Sequence, residues 1–180
     1  MLHARLHDAG LALEPLAETH RDGLRAACLA DDAIWAIYPT CWDADHFDAS
    51  FAALSGNAAR LPFAILLDGR VIGMTAYLNI DAARGALEIG NSYLAPDQRG
   101  TGLNRRVKTL LIDHAFAEGF RRIEFRVDQR NGRSQAAVAK LGAVREGVLR
   151  QERVTWNGHL RDTVVFGLLR HEWPPNNLPG

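Results

Sequence analysis

The sequence predicts a single α/β (α+β) domain built on a mixed, mostly antiparallel sheet of about six to seven strands, with a central parallel pair and helices on both faces. Two β-rich runs flank Asp68-Gly69, a strong hairpin signal. Between Glu88 and Val127, a strand, a glycine-containing loop, an amphipathic helix and a second strand follow one another. Such a crossover places its two strands in parallel.

Each element has its own signal in the periodicity of apolar residues. Helical spacing is clearest from Leu103 through Val107 and Leu111, ending near Gly119, and a shorter helix ends at Gly142. Strand alternation is clearest at 123–127, where Ile, Phe and Val alternate with Glu and Arg. The expected strands are 11–16, 62–67, 71–79, 86–94, 123–127, 144–149 and 163–169. The expected helices are 18–29, 45–61, 103–119 and 134–141.

Composition indicates one globular domain over residues 1–173, followed by a flexible tail at 174–180. A chain of 180 residues that is 47% hydrophobic and 23% charged can bury a core without disulfides or a metal. The formal net charge is zero, which argues against a protein held on nucleic acid by general electrostatics. We therefore expect neither nucleic acid nor a metal among the ligands.

No leader and no membrane-length apolar run is evident, so we expect a cytoplasmic protein that does not bind membranes. Cys28 and Cys41 are too few for a disulfide framework and are expected to be reduced. His3 and His7 have helical metal-ligand spacing, but no further ligand lies near them in the sequence.

The segment from Pro96 to Asn104 has the character of a pyrophosphate-binding loop. Gly100 and Gly102 let the backbone approach a ligand, and the first turn of the following helix offers free N–H groups to an anion. A Walker loop would end in Gly-Lys-Ser/Thr, and a dinucleotide fingerprint would need a glycine where Arg105 stands. Both of those nucleotide folds are therefore excluded.

This loop resembles the acetyl-CoA loop of the GNAT acetyltransferases, whose pattern is Arg/Gln-x-x-Gly-x-Gly/Ala. The resemblance implies a fold of GNAT type and acetyl-CoA as the cofactor, with its pyrophosphate on the backbone of Arg99, Gly100, Thr101, Gly102, Leu103 and Asn104. The later motifs 127–134 and 141–147 are similar to those of the branch that acetylates protein N-termini, including those of ribosomal proteins. Asn104 departs from the small residue usual at its position.

The same resemblance implies further cofactor contacts. The backbone of Tyr93, Leu94 and Ala95 is expected to pair with the pantetheine arm as an added strand would. Asn131 is expected to hydrogen-bond that arm, although it also suits a helix cap. Four basic side chains either meet a CoA phosphate or are solvated residues of a helix start: Arg99, favoured as a contact by its motif position, Arg105, Arg106 and Lys108.

The catalytic groups are expected to be Glu88 and Ser134. Glu88 is either a surface or edge-strand glutamate or, as the resemblance implies, the counterpart of the family's water-mediated base. Such a base suits an α-amine with a pKa of about 8 better than a lysine with a pKa of about 10.4. Many family members protonate the thiolate with a tyrosine, where this chain has Val138. Ser134 is then the nearest hydroxyl able to donate a hydrogen bond as charge develops on sulfur.

The acceptor side is expected between the first helices, where Trp35, Tyr38 and Trp42 form either an apolar lip or part of the core. Asp162 either orients the acceptor or sets a turn. The predicted function is an acetyl-CoA-dependent N-acetyltransferase acting on a primary amine by direct attack in a ternary complex. A protein N-terminal α-amine is the favoured acceptor.

Two alternatives remain open at this stage. One is an acetyltransferase for a small amine such as a polyamine, amino acid or antibiotic. The other is a noncatalytic acyl-CoA-binding sensor, suggested by Val138. The resemblance also implies that a homodimer is common among relatives, but no interface is identifiable in the sequence.

Overall fold

The computed structural model describes residues 1–31 and 33–174. The expected tail at 174–180 lies, from residue 175 onward, outside the described residues. The strands are β1 (Leu6–Asp8), β2 (Leu11–Pro15), β3 (Leu61–Leu67), β4 (Arg70–Asp81), β5 (Ala86–Leu94), β6 (Arg122–Asp128), β7 (Val144–Val154) and β8 (Leu160–Leu169). The helices are α1 (Arg21–Leu29), α2 (Phe47–Ser55), α3 (Leu103–Ala117) and α4 (Gly132–Ala139).

One sheet joins all eight strands in the order β1-β2-β3-β4-β5-β6-β8-β7. Every neighbouring pair is antiparallel except β5 and β6, which are parallel. The mixed, mostly antiparallel sheet with a central parallel pair is therefore confirmed. The eighth strand is β1, a three-residue edge that pairs with β2 through a turn at Ala9-Gly10. It is too short to show alternation in the sequence.

The hairpin predicted at Asp68-Gly69 is present between β3 and β4. Asp68 has φ 49° and Gly69 has φ 82°, the pair of positive angles that a type I′ turn requires. An aspartate followed by a glycine adopts these angles at low cost. Residues 61–94 thus form the antiparallel meander that leads into the predicted loop.

Two hydrophobic clusters lie against the sheet. Side chains of α3, such as Val107 and Leu111, share one cluster with Ile89 and Phe125 of the central strands, and Val138 of α4 belongs to it. Leu24 of α1 and Phe51 of α2 share the other cluster with Met74 and Tyr93. Helices therefore cover both faces of the sheet, as expected. The helix expected at 45–61 is shorter in the structure, where α2 begins at Phe47 and ends at Ser55.

Candidate active site

The parallel strands β5 and β6 separate in the middle of the sheet. They pair only at Ala86↔Arg122, Leu87↔Ile123 and Glu88↔Glu124, although β5 continues to Leu94 and β6 to Asp128. Asn91, with φ 51°, lies where the register of β5 shifts against β4. The result is a gap between two strand edges that begins at Glu88 and can admit an extended chain.

The predicted loop leads from the end of β5 to the start of α3. Gly100 has φ 78° and Gly102 has φ 84°, and a Cβ on either would meet no atom within 4 Å. Within the described parts of the chain, the N–H groups of residues 100, 101, 102 and 104 have no hydrogen-bond acceptor. These donors face open space at a helix N-terminus, which is the arrangement that binds phosphate groups. The loop therefore fits the pyrophosphate of CoA.

A cavity of about 200 Å³ adjoins this loop and is lined by Leu67, Gln98, Thr101, Leu103 and Arg106. The Thr101 hydroxyl donates to the Gln98 carbonyl over 2.9 Å and shapes the turn. Arg106 pairs with Asp8 at 3.0 Å and also donates to the backbone of Asp8 and Ala9. Arg106 therefore ties α3 to the edge of the sheet.

Arg99 connects the loop to two other parts of the fold. Its Nε donates to the Leu94 carbonyl over 2.9 Å, and its guanidinium pairs with Asp31 and lies 5.4 Å from the centre of the Tyr93 ring. A second guanidinium nitrogen is buried without a hydrogen-bond partner among the described residues. Arg99 thus ties the loop to the end of β5 and to the segment that follows α1.

The segment Tyr93, Leu94 and Ala95 lies at the end of β5, beyond the part of that strand that pairs with β6. The Tyr93 phenol is buried and donates to the Ala27 carbonyl over 2.7 Å. On the other side of β5, a Cβ at Gly73 would overlap the Tyr93 carbonyl oxygen. Gly73 therefore lets β4 approach β5 closely and fixes the line of this segment.

Glu88 lies at the closed end of the gap and is 6% exposed. The Asn79 amide donates to its Oε2 over 2.6 Å, and Arg126 Nε lies 3.6 Å from the same oxygen. Burial raises the pKa of Glu88, and the Asn79 hydrogen bond and the Arg126 charge oppose that rise. A buried carboxylate with a raised pKa beside a gap is suited to accept a proton.

Arg126 links Glu88 to a charged cluster that sequence reasoning did not identify. Its guanidinium lies 3.4 Å from Glu124 and 3.9 Å from Glu152. The carboxylate of Glu152 accepts a hydrogen bond from Arg153, which lowers the pKa of Glu152 to about 2. These residues come from β6 and β7, which are distant in sequence, so only the β6–β8–β7 pairing brings them together.

Asn131 and Ser134 begin α4. The Asn131 side chain accepts a 3.0 Å hydrogen bond from the Ser134 N–H and so caps the helix. The Ser134 side chain is half-buried, and its hydroxyl has no partner among the described residues. The capping alternative is therefore present for Asn131, and its amide nitrogen has no hydrogen-bond partner within the described ranges. Val138, at the position of the usual tyrosine, is buried in the core.

The aromatic residues expected on the acceptor side divide into two groups. Trp35 and Trp42 are each 1% exposed and belong to the core, which was the alternative to an apolar lip. Tyr38 is half-buried, and its phenol donates to the Ser92 carbonyl over 2.7 Å. Burial raises the pKa of Tyr38 to about 12.

Trp156 is an aromatic residue on this side that sequence reasoning missed. It lies in the β7–β8 turn, and its indole donates to the Trp35 carbonyl over 2.8 Å while its backbone N–H donates to the Pro39 carbonyl. These bonds bring the β7–β8 turn against the segment before α2.

Asp162 accepts the Gln151 N–H over 2.8 Å where Gln151 has φ 51°, so its carboxylate stabilises a bulge in β7. This contact favours the alternative in which Asp162 sets the local backbone conformation over the one in which it orients the acceptor.

Lys108 was expected among the basic residues able to meet a CoA phosphate, but it is 5% exposed and its Nζ donates to the Ser92 hydroxyl. The expectation was wrong because α3 turns this side chain toward β5. A signal was present, since Lys108 lies beside Val107 and four residues before Ile112, on the apolar side of the helix.

One cluster among the described residues has potential metal-ligand atoms within 4.8 Å of one another, from Cys41, Asp43 and His46. Asp43 already accepts both the His46 N–H, over 3.0 Å, and the His46 imidazole, over 2.6 Å. These hydrogen bonds stabilise the turn before α2 and explain why Asp43 and His46 lie together. In the same described ranges, no helix is both long enough and apolar enough to cross a membrane.

The model of the acetyltransferase (GNAT) domain matches residues 11–144. A GCN5-related N-acetyltransferase from Brucella melitensis is 30% identical, with a TM-score of 0.88 over 94% of this chain and 80% of that chain. A protein from T. thermophilus is 35% identical, with a TM-score of 0.85 over 94% and 91%. Mycobacterium smegmatis RimJ, in complex with CoA-disulfide, is 24% identical, with a TM-score of 0.78 over 94% and 88%.

A separated pair of parallel strands with a buried carboxylate at its closed end, followed by a helix N-terminus with free N–H groups, suits an acyl-CoA-dependent transferase. With the match over most of its length, the chain belongs to the GNAT acetyltransferase family. Acetyl-CoA is the acetyl donor of that family. The resemblance seen in the glycine-containing loop is therefore confirmed at the level of family, fold and cofactor.

Proposed function

We propose that this acetyltransferase transfers the acetyl group to the N-terminal α-amine of a protein or peptide, by direct attack in a ternary complex. The observation that carries the proposal is Glu88, a buried carboxylate at the closed end of the gap between β5 and β6. Residues 99–104 hold the pyrophosphate in this proposal, and the backbone of 93–95 with the Asn131 amide holds the pantetheine arm.

Bound in this way, acetyl-CoA supplies an activated acetyl group as a thioester. The acceptor amine must be neutral to attack it, and Glu88 removes its proton through an intervening water. Burial raises the pKa of Glu88 toward the pH at which an α-amine is partly neutral. An α-amine requires about 2.5 pKa units less assistance than a lysine side chain, or roughly 3.4 kcal/mol. A single base acting through water therefore suits an α-amine.

The two cysteines support direct attack over an acetyl-cysteine route. Burial raises the pKa of the Cys28 thiol to about 12 and also raises the pKa of Cys41. Neither thiol is therefore activated as a nucleophile, because the thiolate is the reactive form. Both also lie in the cluster between α1 and α2 and not in the gap. Cys28→Ala and Cys41→Ala variants are expected to retain turnover.

An acceptor panel tests the proposal. The protein is incubated with acetyl-CoA and one class of acceptor at a time. The first class is lysine-free peptides with a free N-terminus, and the second is the same peptides with a blocked N-terminus and one added lysine. Polyamines and amino acids are the third and fourth classes. Thiol release and mass spectrometry report transfer. We expect acetylation of the free N-termini and none of the blocked peptides. Transfer to small amines alone would support the first alternative, and CoA binding without thiol release from any acceptor would support the sensor.

A further inference from the structure

Lys108 is a buried cation without an ionic partner. It is 5% exposed, and no carboxylate of the described residues lies within 4.0 Å of its Nζ. Its hydrogen-bond acceptor is the neutral hydroxyl of Ser92. Burying an ammonium without a paired charge costs free energy, because burial disfavours the charged form.

Ser92 lies on β5 beyond Glu88, in the part of the strand that has left β6. Its Oγ accepts from Lys108, lies 2.9 Å from Thr75 Oγ1 and donates to the Gly90 carbonyl over 3.2 Å. On the other side of the strand, its carbonyl accepts the Tyr38 phenol. The Ser92 hydroxyl is therefore held in place on the part of β5 that has left β6, and turning its O–H away from the Gly90 carbonyl would let it donate to a ligand while it accepts from Lys108.

We propose that Ser92 donates the proton that the departing CoA thiolate requires. Lys108 acts as the positioning residue, which donates a hydrogen bond to the Ser92 hydroxyl and returns a proton to it. This inference rests on the proposed acetyl transfer in the same gap. It assigns a proton donor to a site in which Val138 replaces the usual tyrosine and Ser134 has only a resemblance in its favour.

Bond breaking and proton transfer balance in this step. The amine nitrogen forms a bond to the acetyl carbon, the bond between that carbon and sulfur breaks, and sulfur leaves with the electron pair. The Ser92 hydroxyl gives its proton to sulfur and receives one from the Lys108 ammonium, which becomes a neutral amine. The proton lost by the attacking amine passes to Glu88. Glu88 then releases a proton to solvent and Lys108 regains one, so the net reaction is acetyl-CoA and amine to acetylated amine and CoA.

The surroundings of Lys108 suit this exchange. Burial lowers the pKa of Lys108 to about 7, and the charge of Glu88 on β5 opposes that shift. On β4, the phenol of Tyr77 donates to the Leu111 carbonyl of α3, and burial raises its pKa so that it stays neutral. Burial thus moves the pKa values of Glu88 and Lys108 toward each other, so both groups can exchange protons near neutral pH.

The direct test titrates the thiol of CoA bound to the protein, using the ultraviolet absorbance of the thiolate, without any acceptor. We expect the bound thiol to have a lower pKa than free CoA, because the Ser92 hydroxyl donates to the thiolate and the thiolate charge in turn favours the ammonium form of Lys108. In Lys108→Met and in Ser92→Ala, we expect the pKa of the bound thiol to rise by about one unit or more, a tenfold change in its ionisation. Lys140→Met, at the exposed end of α4, is the matched control and should titrate as the wild type does.

Turnover gives a second readout. In Lys108→Met and Ser92→Ala, kcat is expected to fall by about 10²-fold, typical of a lost proton donor. Lys140→Met, the matched control, should retain full activity. Unchanged thiol titration in both variants, or a loss confined to Ser134→Ala, would overturn the proposal. Should Lys108→Met fail to fold, Ser92→Ala decides the question, since it keeps the lysine. Because the titration needs no acceptor, a wrong acceptor class leaves its result intact.

Discussion

The Asn79 amide donates a 2.6 Å hydrogen bond to the Glu88 carboxylate across β4 and β5. Asn79 has φ 47° at an irregular position of β4, so the backbone conformation and the hydrogen bond are provided by one residue. The bond fixes the direction of the carboxylate and favours its charged form, against the effect of burial. Glu88 is thereby available as a base although it is buried.

Glu88→Gln is expected to lower kcat by about 10²-fold or more, because the amide cannot accept the acceptor's proton. The wild-type rate should fall as the pH drops through the raised pKa of Glu88, since only the carboxylate acts as the base. That acidic limb should be missing from the pH profile of the variant. An unchanged profile would remove Glu88 from the mechanism.

Asn79→Gly is expected to move the acidic limb of the rate profile to higher pH. Glycine tolerates the positive φ of this position but cannot donate the hydrogen bond that lowers the pKa of Glu88. The pKa of Glu88 should therefore rise further. The measurement is kcat against pH for both proteins at saturating acetyl-CoA. A limb that stays in place or moves to lower pH would contradict this account of Glu88.

Lys108→Met is expected to stabilise the protein near neutral pH. The pKa of Lys108 is about 7 in the folded protein and about 10.4 when unfolded, so the unfolded chain binds more protons between these values. The free energy of unfolding should therefore rise with pH across this window. In the variant that rise should disappear, and at pH 7 the gain should be a few kcal/mol.

Urea unfolding at several pH values, without CoA, measures this effect. Lys140→Met serves as the control because Lys140 is exposed. A Lys108→Met protein with the pH dependence of the wild type would show that the buried amine does not titrate in this range.

Gly73→Ala is expected to destabilise the protein by about 3 kcal/mol, because its Cβ would overlap the Tyr93 carbonyl oxygen and push β4 from β5. Since Tyr93 borders the gap, CoA affinity should fall as well. Gly147→Ala is the matched control, since a Cβ there would meet no atom within 4 Å and its φ is not in the left-handed region. Equal stability of the two variants, measured by urea unfolding, would contradict the close approach.

The sequence predicted those elements that carry their own local signals. Asp68-Gly69 indicated the hairpin, and the crossover from Glu88 to Val127 indicated the parallel pair. The residues of the site were harder to predict from the sequence. The burial of Trp42 and the partnership of Arg99 with Asp31 depend on how α1 and α2 pack against the sheet, a tertiary effect. Lys108 was misjudged because its charge suggested the surface, whereas its position on the helix indicated the core.

The most direct test of the active-site assignment is calorimetric titration of acetyl-CoA into the wild type and Gly102→Ala. Gly102 has φ 84° at the start of α3, and an alanine there strains the loop by about 1–2 kcal/mol in the conformation that presents its N–H groups. We predict that the variant binds about five- to thirtyfold more weakly. Gly132→Ala, where φ is not in the left-handed region, should bind as the wild type does. Equal affinity of Gly102→Ala and the wild type would show that residues 99–104 do not hold the cofactor.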